Sequence, residues 1–208
     1  PAFMALDLGQ PDYVKTQRSE FNKVSFPTWS IVEWGFPARG DRPAVKVYWY
    51  DGGKKPEKPA GMPEGTDLGG NGCLFVGAKG QMLGGSHAGF CRPLDPDYER
   101  PKETLPRSEG HYKEWVMACR GEKINRGTTG TNFGYAGPMT ATIAMGVVGM
   151  YFPDEKLDWD GGKLAFKKAA ADFRKRDPDL AARFEIANVV SKTDRIEADI
   201  EADGGVEH

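Results

Sequence analysis

The order of its elements constrains this chain more than any single motif does. Beyond residue 8, stretches rich in β-branched and aromatic residues come first, and helical spacing of apolar residues returns only from about residue 110. Residues 29–36 (WSIVEWGF) and 45–50 (VKVYWY) read as strands, ended by Pro37 and by the Asp51-Gly52-Gly53 turn signal. Residues 13–26 are extended and largely polar, and read as a half-exposed strand or a pair of them. Residues 73–76 and 81–83 read as a hairpin around a four-residue turn, Gly77-Ala78-Lys79-Gly80. Residues 157–159 make a short final strand. Strands before helices favour an α+β layer: an open, mostly antiparallel mixed sheet with helices on one face, not a doubly wound parallel sheet.

Two segments carry helical periodicity. In residues 110–120 (GHYKEWVMACR) the apolar side chains Tyr112, Trp115, Val116 and Cys119 recur at three and four, with Ser108 as the expected N-cap. Residues 135–152 form the second helix, with Pro138 in its first turn. There Met139, Ile143, Met145, Gly146 and Val147 predict a tightly packing face of small residues. Residues 2–8 (AFMALDL) look like the end of a helix stopped by Gly9, and with Pro1 in place of an initiator Met they read as a truncation. Long irregular loops are expected over 54–71 and 84–107. From Lys163 onward Lys, Arg, Asp and Ala dominate, so residues 1–160 are read as one domain and 161–208 as a charged helical or partly disordered tail.

Composition removes several classes of partner. Lys+Arg 28 against Asp+Glu 30 leaves no basic excess to hold a phosphate backbone, so nucleic acid is not expected. No apolar run approaches the roughly 20 residues that span a bilayer, so no membrane partner is expected either. Cys73, Cys91 and Cys119 lie far apart without a C-x-x-C. They read as buried or half-buried thiols, with one disulfide plus a spare cysteine left open. No strand–glycine loop–helix unit occurs. Gly70-Asn71-Gly72 lacks the third glycine and leads into a strand, so this chain has no expected dinucleotide site and no cofactor of its own.

Several strings carry a family resemblance: Phe36-Pro37-Ala38-Arg39-Gly40, Val47-Tyr48-Trp49-Tyr50-Asp51-Gly52-Gly53, Leu74-Phe75-Val76-Gly77 with Lys79-Gly80, Leu105-Pro106-Arg107-Ser108, Gly110-His111-Tyr112, Glu114-Trp115, and Asn132-Phe133 with Tyr135-Ala136-Gly137-Pro138. In this order the chain resembles the C-terminal domain of the Gfo/Idh/MocA oxidoreductases over roughly residues 1–160. The resemblance implies an N-terminal Rossmann domain, absent here, that binds NAD or NADP and supplies the catalytic lysine and histidine. It also implies a C-terminal domain that covers a sugar, cyclitol or glycoside and oligomerises through its sheet. The family's helix reads L-T-E after its Gly-Pro. Met139-Thr140-Ala141 stands there instead, so no role of that glutamate carries over.

The candidate substrate-binding residues are Arg107, His111, Asn132 and Tyr135, with no catalytic, cofactor or metal residue expected. Arg107 and His111 frame a helix start, where a hydroxyl oxygen or an anion is favoured; the competing reading has His111 cap its own helix. Asn132 and Tyr135 offer an amide and a phenol for hydroxyl recognition; the competing reading has Asn132 cap and Tyr135 pack. Trp29, Trp34, Trp49 and Tyr50 read either as a sugar-stacking platform or, more often for such a stripe, as core or oligomer face. His87 reads as a surface histidine, Arg39-Gly40-Asp41 as a chance match to an adhesion tripeptide, and Asp154, Asp158 and Asp160 as turn chemistry. The expectation is thus a substrate-covering, oligomerising domain, inactive alone. The alternative is a self-standing sheet module for oligomerisation or carbohydrate binding without catalysis. Cytoplasmic and periplasmic placement both remain open.

Overall fold

The computed structural model describes residues 2–22, 25–99 and 101–167. Of the expected tail, residues 161–208, the part beyond residue 167 lies outside them, and the described part carries a short strand at Ala165–Phe166. The chain divides into two compact units, Pro1–Lys156 and Leu157–His208.

In the first unit a short helix α1 (Ala2–Ala5) leads to strands β1 (Tyr13–Arg18), β2 (Ser30–Phe36) and β3 (Val45–Tyr50). These three pair antiparallel with β2 in the middle. The register sets Val14 opposite Trp34, Thr16 opposite Val32, and Glu33 opposite both Lys15 and Tyr48. Side chains alternate between the two faces of a strand, so this register sorts them cleanly. Val14, Thr16, Ser30, Val32, Trp34 and Phe36 are buried on one face. Tyr13, Lys15, Glu33, Lys46, Tyr48 and Tyr50 occupy the other.

A second antiparallel sheet holds β4 (Cys73–Gly77), β5 (Gly80–Gly84) and β6 (Cys91–Pro93). The turn between β4 and β5 uses two residues, Ala78 and Lys79, not four, because Gly77 and Gly80 are already paired. Strand β6 lies inside the stretch expected to be irregular. Two helices follow, α2 (His111–Cys119) and α3 (Phe133–Gly149), the second starting two residues before the expected point. In the second unit β7 (Lys156–Asp160) continues past its first residue and turns back into β8 (Ala165–Phe166), with Trp159 and Phe166 stacked edge-on at 4.9 Å. The turn between them rests on Asp160, whose Oδ1 accepts from the amides of Gly162 and Lys163 at 3.1 Å each. The described residues are therefore α+β, with antiparallel strands and few helices.

Helix α3 lies on the buried face of β1 and β2 almost backbone to side chain. A Cβ built on Gly146 would stand 2.7 Å from Trp34 Cζ2, and one on Gly149 would run into Thr16 Oγ1. Met145, Met150 and Phe152 fill the space beside them, with Thr142 buried as well. Only part of the expected face is thus correct: Met145 and Gly146 pack inward, while Ile143 and Val147 are exposed. Arg18 closes the far end of α3 by donating to the Met150 carbonyl, and the Asp154 amide donates to the Thr16 carbonyl at 2.8 Å. The first of these bonds satisfies a carbonyl at the helix end, and the second ties the chain that follows it to β1.

Helix α1 is stopped by Asp7 in the left-handed region (φ 46°). Arg39 and Arg42, on the two arms of a tight turn, hold the Asp7 carboxylate at 3.1 and 2.6 Å. Arg39 also donates to the Asp7 carbonyl. The arginine of the Arg39-Gly40-Asp41 string is therefore spent on an internal clamp.

Candidate functional site

Helix α2 is inside out relative to its sequence pattern. Its apolar stripe faces solvent, with Tyr112 79% and Trp115 67% exposed, while the acidic Glu114 is only 2% exposed. Burying a carboxylate is costly unless its oxygens are satisfied. Here one oxygen accepts from the Ser108 hydroxyl and the other from the Gly130 amide at 2.8 Å. Ser108 Oγ in turn accepts from the Gly110 amide at 3.0 Å. Ser108 is thus not the N-cap. Gly110 holds that place with φ 101°, and the serine serves the glutamate. The neighbouring Glu109 is only half satisfied: its Oε1 accepts from the Asn125 amide at 2.9 Å, while its Oε2 is buried without a hydrogen-bond partner. The hydrogen bonds from Ser108 and Gly130, aided by the positive charge of Arg126, hold the Glu114 carboxyl below the usual carboxylate range, so it stays ionised at neutral pH.

Of the four expected binding residues, Arg107 and His111 are exposed on the segment that Ser108 anchors, and the His111 ring lies 4.1 Å from that of Tyr112. Asn132 caps α3: its Oδ1 accepts from the Tyr135 amide at 3.2 Å, and its Nδ2 donates to the Thr129 carbonyl at 3.0 Å. Tyr135 packs its ring edge-on to Phe3, which packs on Phe36. Both residues of that pair are half-buried and in structural use. The structure brings the two segments together at Glu114, a residue that sequence reasoning quoted only as part of a string. An acidic residue on the side opposite an apolar stripe gives no sign that the stripe, not the acid, faces water.

A second polar cluster lies on the open face of the β1–β3 sheet. Tyr13 OH donates to Glu33 Oε1 at 2.6 Å, and Lys46 Nζ sits 3.3 Å from the same oxygen. Tyr13 reaches across because β2 has glycine opposite it. A Cβ on Gly35 would fall within the Tyr13 ring. The Lys156 ammonium lies 4.3 Å from that ring's centre. Burial pushes the Glu33 carboxyl up, but hydrogen bonds from Tyr13, Lys46 and Tyr48 outweigh it and leave the carboxyl below its ordinary value. Burial and the Glu33 charge raise the Tyr13 and Tyr48 phenols, and Glu33 raises Lys46. At neutral pH this cluster is carboxylate, neutral phenols and ammonium: a binding or packing arrangement without a group poised to move a proton.

The sign of the Glu33 shift fixes a pH dependence. A carboxyl lowered in the folded state contributes stability that is fully present above its unfolded value of about 4.5 and is lost as pH falls through the lower folded value. Glu33→Gln is therefore expected to lower stability at pH 7 and to flatten the acid limb below pH 4.5. Urea midpoints measured from pH 3 to 7 check this. Parallel wild-type and variant curves would contradict it.

The four aromatic residues do not form one platform. Trp49 and Tyr50 are adjacent, so they leave β3 on opposite faces; Trp34 is 7% exposed beneath α3, and Trp29 carries the Lys54 ammonium at 4.4 Å. Cys73, Cys91 and Cys119 are all free; Cys73 is half-buried as expected, whereas Cys91 and Cys119 are exposed, against the expectation of buried or half-buried thiols. An open cavity of about 330 Å3 in the long loop is lined by Lys55, Lys58, Thr66 and Asp67 among others. Its Thr66 hydroxyl is spent on the Pro63 carbonyl and its Asp67 carboxylate on the Gly69 amide. Among the described residues no three His, Cys, Asp or Glu side chains are grouped to hold a metal ion, and no helix is long and apolar enough to cross a membrane. The chain matches no family model, and it matches no curated protein.

Proposed function

We propose that this chain is the substrate-covering and oligomerising domain of an NAD(P)-dependent oxidoreductase acting on a sugar, cyclitol or glycoside, and that it is inactive without a Rossmann half. The observation that carries the reading is the outward apolar face of both helices. α3 presents Phe133, 92% exposed, with Ile143 and Val147 behind it, and α2 presents Tyr112, Trp115 and Val116. α3, apolar on its core side and its outer side alike, belongs inside a protein, and an exposed apolar patch such as that of α2 marks a contact surface. The Rossmann domain implied by the family resemblance would cover them. Its nicotinamide would accept or donate the hydride and its own lysine and histidine would move the proton. Arg107 and His111 would orient hydroxyl groups and exclude water, and Asn132 and Tyr135 would hold the neighbouring loop-to-helix junction in shape.

The in-frame sequence upstream of Pro1 tests this reading. A strand followed by a glycine-rich turn and a helix is expected there. A signal peptide or start codon directly before Pro1 would overturn it. The isolated chain titrated with NADH is expected to show no saturable binding in the micromolar range by nucleotide fluorescence.

The open sheet face supports the oligomerising role, in the enzyme and in the alternative of a sheet module without catalysis. Tyr13, Tyr48 and Tyr50 present half-exposed rings beside Glu33 and Lys46. Tyrosine offers large contact area at low entropy cost and is enriched at interfaces. Tyr48→Asp would set a second carboxylate beside Glu33, and it is expected to weaken self-association at least about tenfold, about 1.4 kcal/mol. Sedimentation velocity over a concentration series reads this. An unchanged oligomer would remove the sheet as the contact.

A further inference from the structure

We infer that Glu114 is a positioning residue, tying the segment that carries Arg107 and His111 to the segment that leads into Asn132 and Tyr135. The inference rests on the proposed polyol-binding role and adds to it a residue that touches no substrate. Three observations meet at this side chain. Glu114 is buried, although it sits on a helix whose neighbours Tyr112 and Trp115 stand in solvent. Its two oxygens are divided between two stretches of chain, one taking the Ser108 hydroxyl and the other the Gly130 amide at 2.8 Å. Gly130 also lies directly against the carboxylate: an added Cβ would stand in ordinary contact with Glu114 Oε2 at 3.5 Å, and 3.0 Å from Arg126 Nη1 at the end of a flexible side chain.

The tie runs on to the candidate binding groups through short, bonded links. Ser108 follows Arg107 directly and fixes the Gly110 amide at 3.0 Å, one residue before His111. On the other side Gly130 stands two residues before Asn132, whose amide group is itself fixed by Thr129 and Tyr135. Glu109 adds a parallel stitch through the Asn125 amide at 2.9 Å. A binding group is only as well placed as the shell that supports it, and displacement by about 1 Å can cost up to about a hundredfold in function. The carboxylate suits this task because it accepts from both segments at once, with one oxygen for each.

The test uses saturation-transfer NMR on the full 208-residue chain with myo-inositol and D-glucose as separate probes, at 10 °C where variants are checked to be folded by near-ultraviolet circular dichroism. The wild type is expected to bind at least one probe. Glu114→Ala is expected to weaken binding about tenfold. Glu114→Gln is expected to stay within about threefold, because its amide oxygen still accepts from Gly130 and its amide nitrogen can donate to Ser108. Ser108→Ala, which leaves Glu114 bonded to Gly130, gives a second reading if the alanine variant at 114 does not fold; an intermediate loss is expected. A general loss of stability would lower the melting temperature without changing the affinity of the folded protein. Wild-type affinity in both Glu114→Ala and Ser108→Ala, or in Ser108→Ala alone when the other is unfolded, overturns the inference and leaves the polyol reading standing. No transfer from either probe to the wild type overturns both.

Discussion

Replacing Trp34 with alanine is expected to destabilise the chain by about 3–5 kcal/mol, the cost of removing a large buried aromatic and leaving a cavity that its neighbours only partly fill. Trp34 stands on β2, between β1 and β3, directly beneath Gly146 of α3, with Val14 as its partner on β1. The helix has no side chain at that point to move into the gap. Trp34→Phe should be much milder, below about 1.5 kcal/mol, because it keeps an aromatic ring in place. It also removes an indole Nε1 that is buried without a hydrogen-bond partner, an atom that carries a desolvation cost. Trp49, 60% exposed on the neighbouring strand, is the control. Urea unfolding of the three variants at constant slope gives the comparison. A Trp34→Ala cost no larger than that of Trp49→Ala would contradict the packing described for α3.

Gly149→Ala is expected to cost about 1–3 kcal/mol, although alanine is the better helix former by about 1 kcal/mol. The new methyl would collide with Thr16 Oγ1 and come within 3.2 Å of Thr16 Cβ. Thr16 is fully buried and its hydroxyl has no hydrogen-bond partner, so trimming it to alanine forfeits methyl packing but no hydrogen bond. The double variant Thr16→Ala/Gly149→Ala should therefore recover part of the loss. A double-mutant cycle is expected to show favourable coupling of at least about 1 kcal/mol. Additive effects would mean that the helix moves away from the strand at little cost.

How far these features were legible follows from their range along the chain. Strand β3 matches its sequence reading residue for residue, and β2 differs by one residue, since β-branched and aromatic runs with turn signals at their ends are local information. The small-residue contact of α3 was legible at Gly146 for the same reason. Helix α2 was legible as a helix but not in its orientation. Periodicity defines a stripe and leaves open whether core or solvent lies against it, and Glu114 is buried only because Ser108 and Gly130, six and sixteen residues away, reach its oxygens. The Tyr13, Glu33 and Lys46 cluster depends on a register between three strands, which local pattern does not encode. Trp49 beside Tyr50 is a different matter. Alternation along a strand already separates adjacent residues to opposite faces, and that rule sufficed to exclude a common stacking surface.

The bare contact between α3 and the sheet also has a kinetic side. Elements separated by long side chains can loosen by rotamer changes while each keeps its own backbone. Around Gly146 and Gly149 no such cushion exists, and the helix meets Thr16 and Trp34 with its main chain. Opening the helix's hydrogen bonds there exposes β1 and β2 at the same moment, so these three elements are expected to open as one cooperative unit, their amides protected together against exchange with solvent.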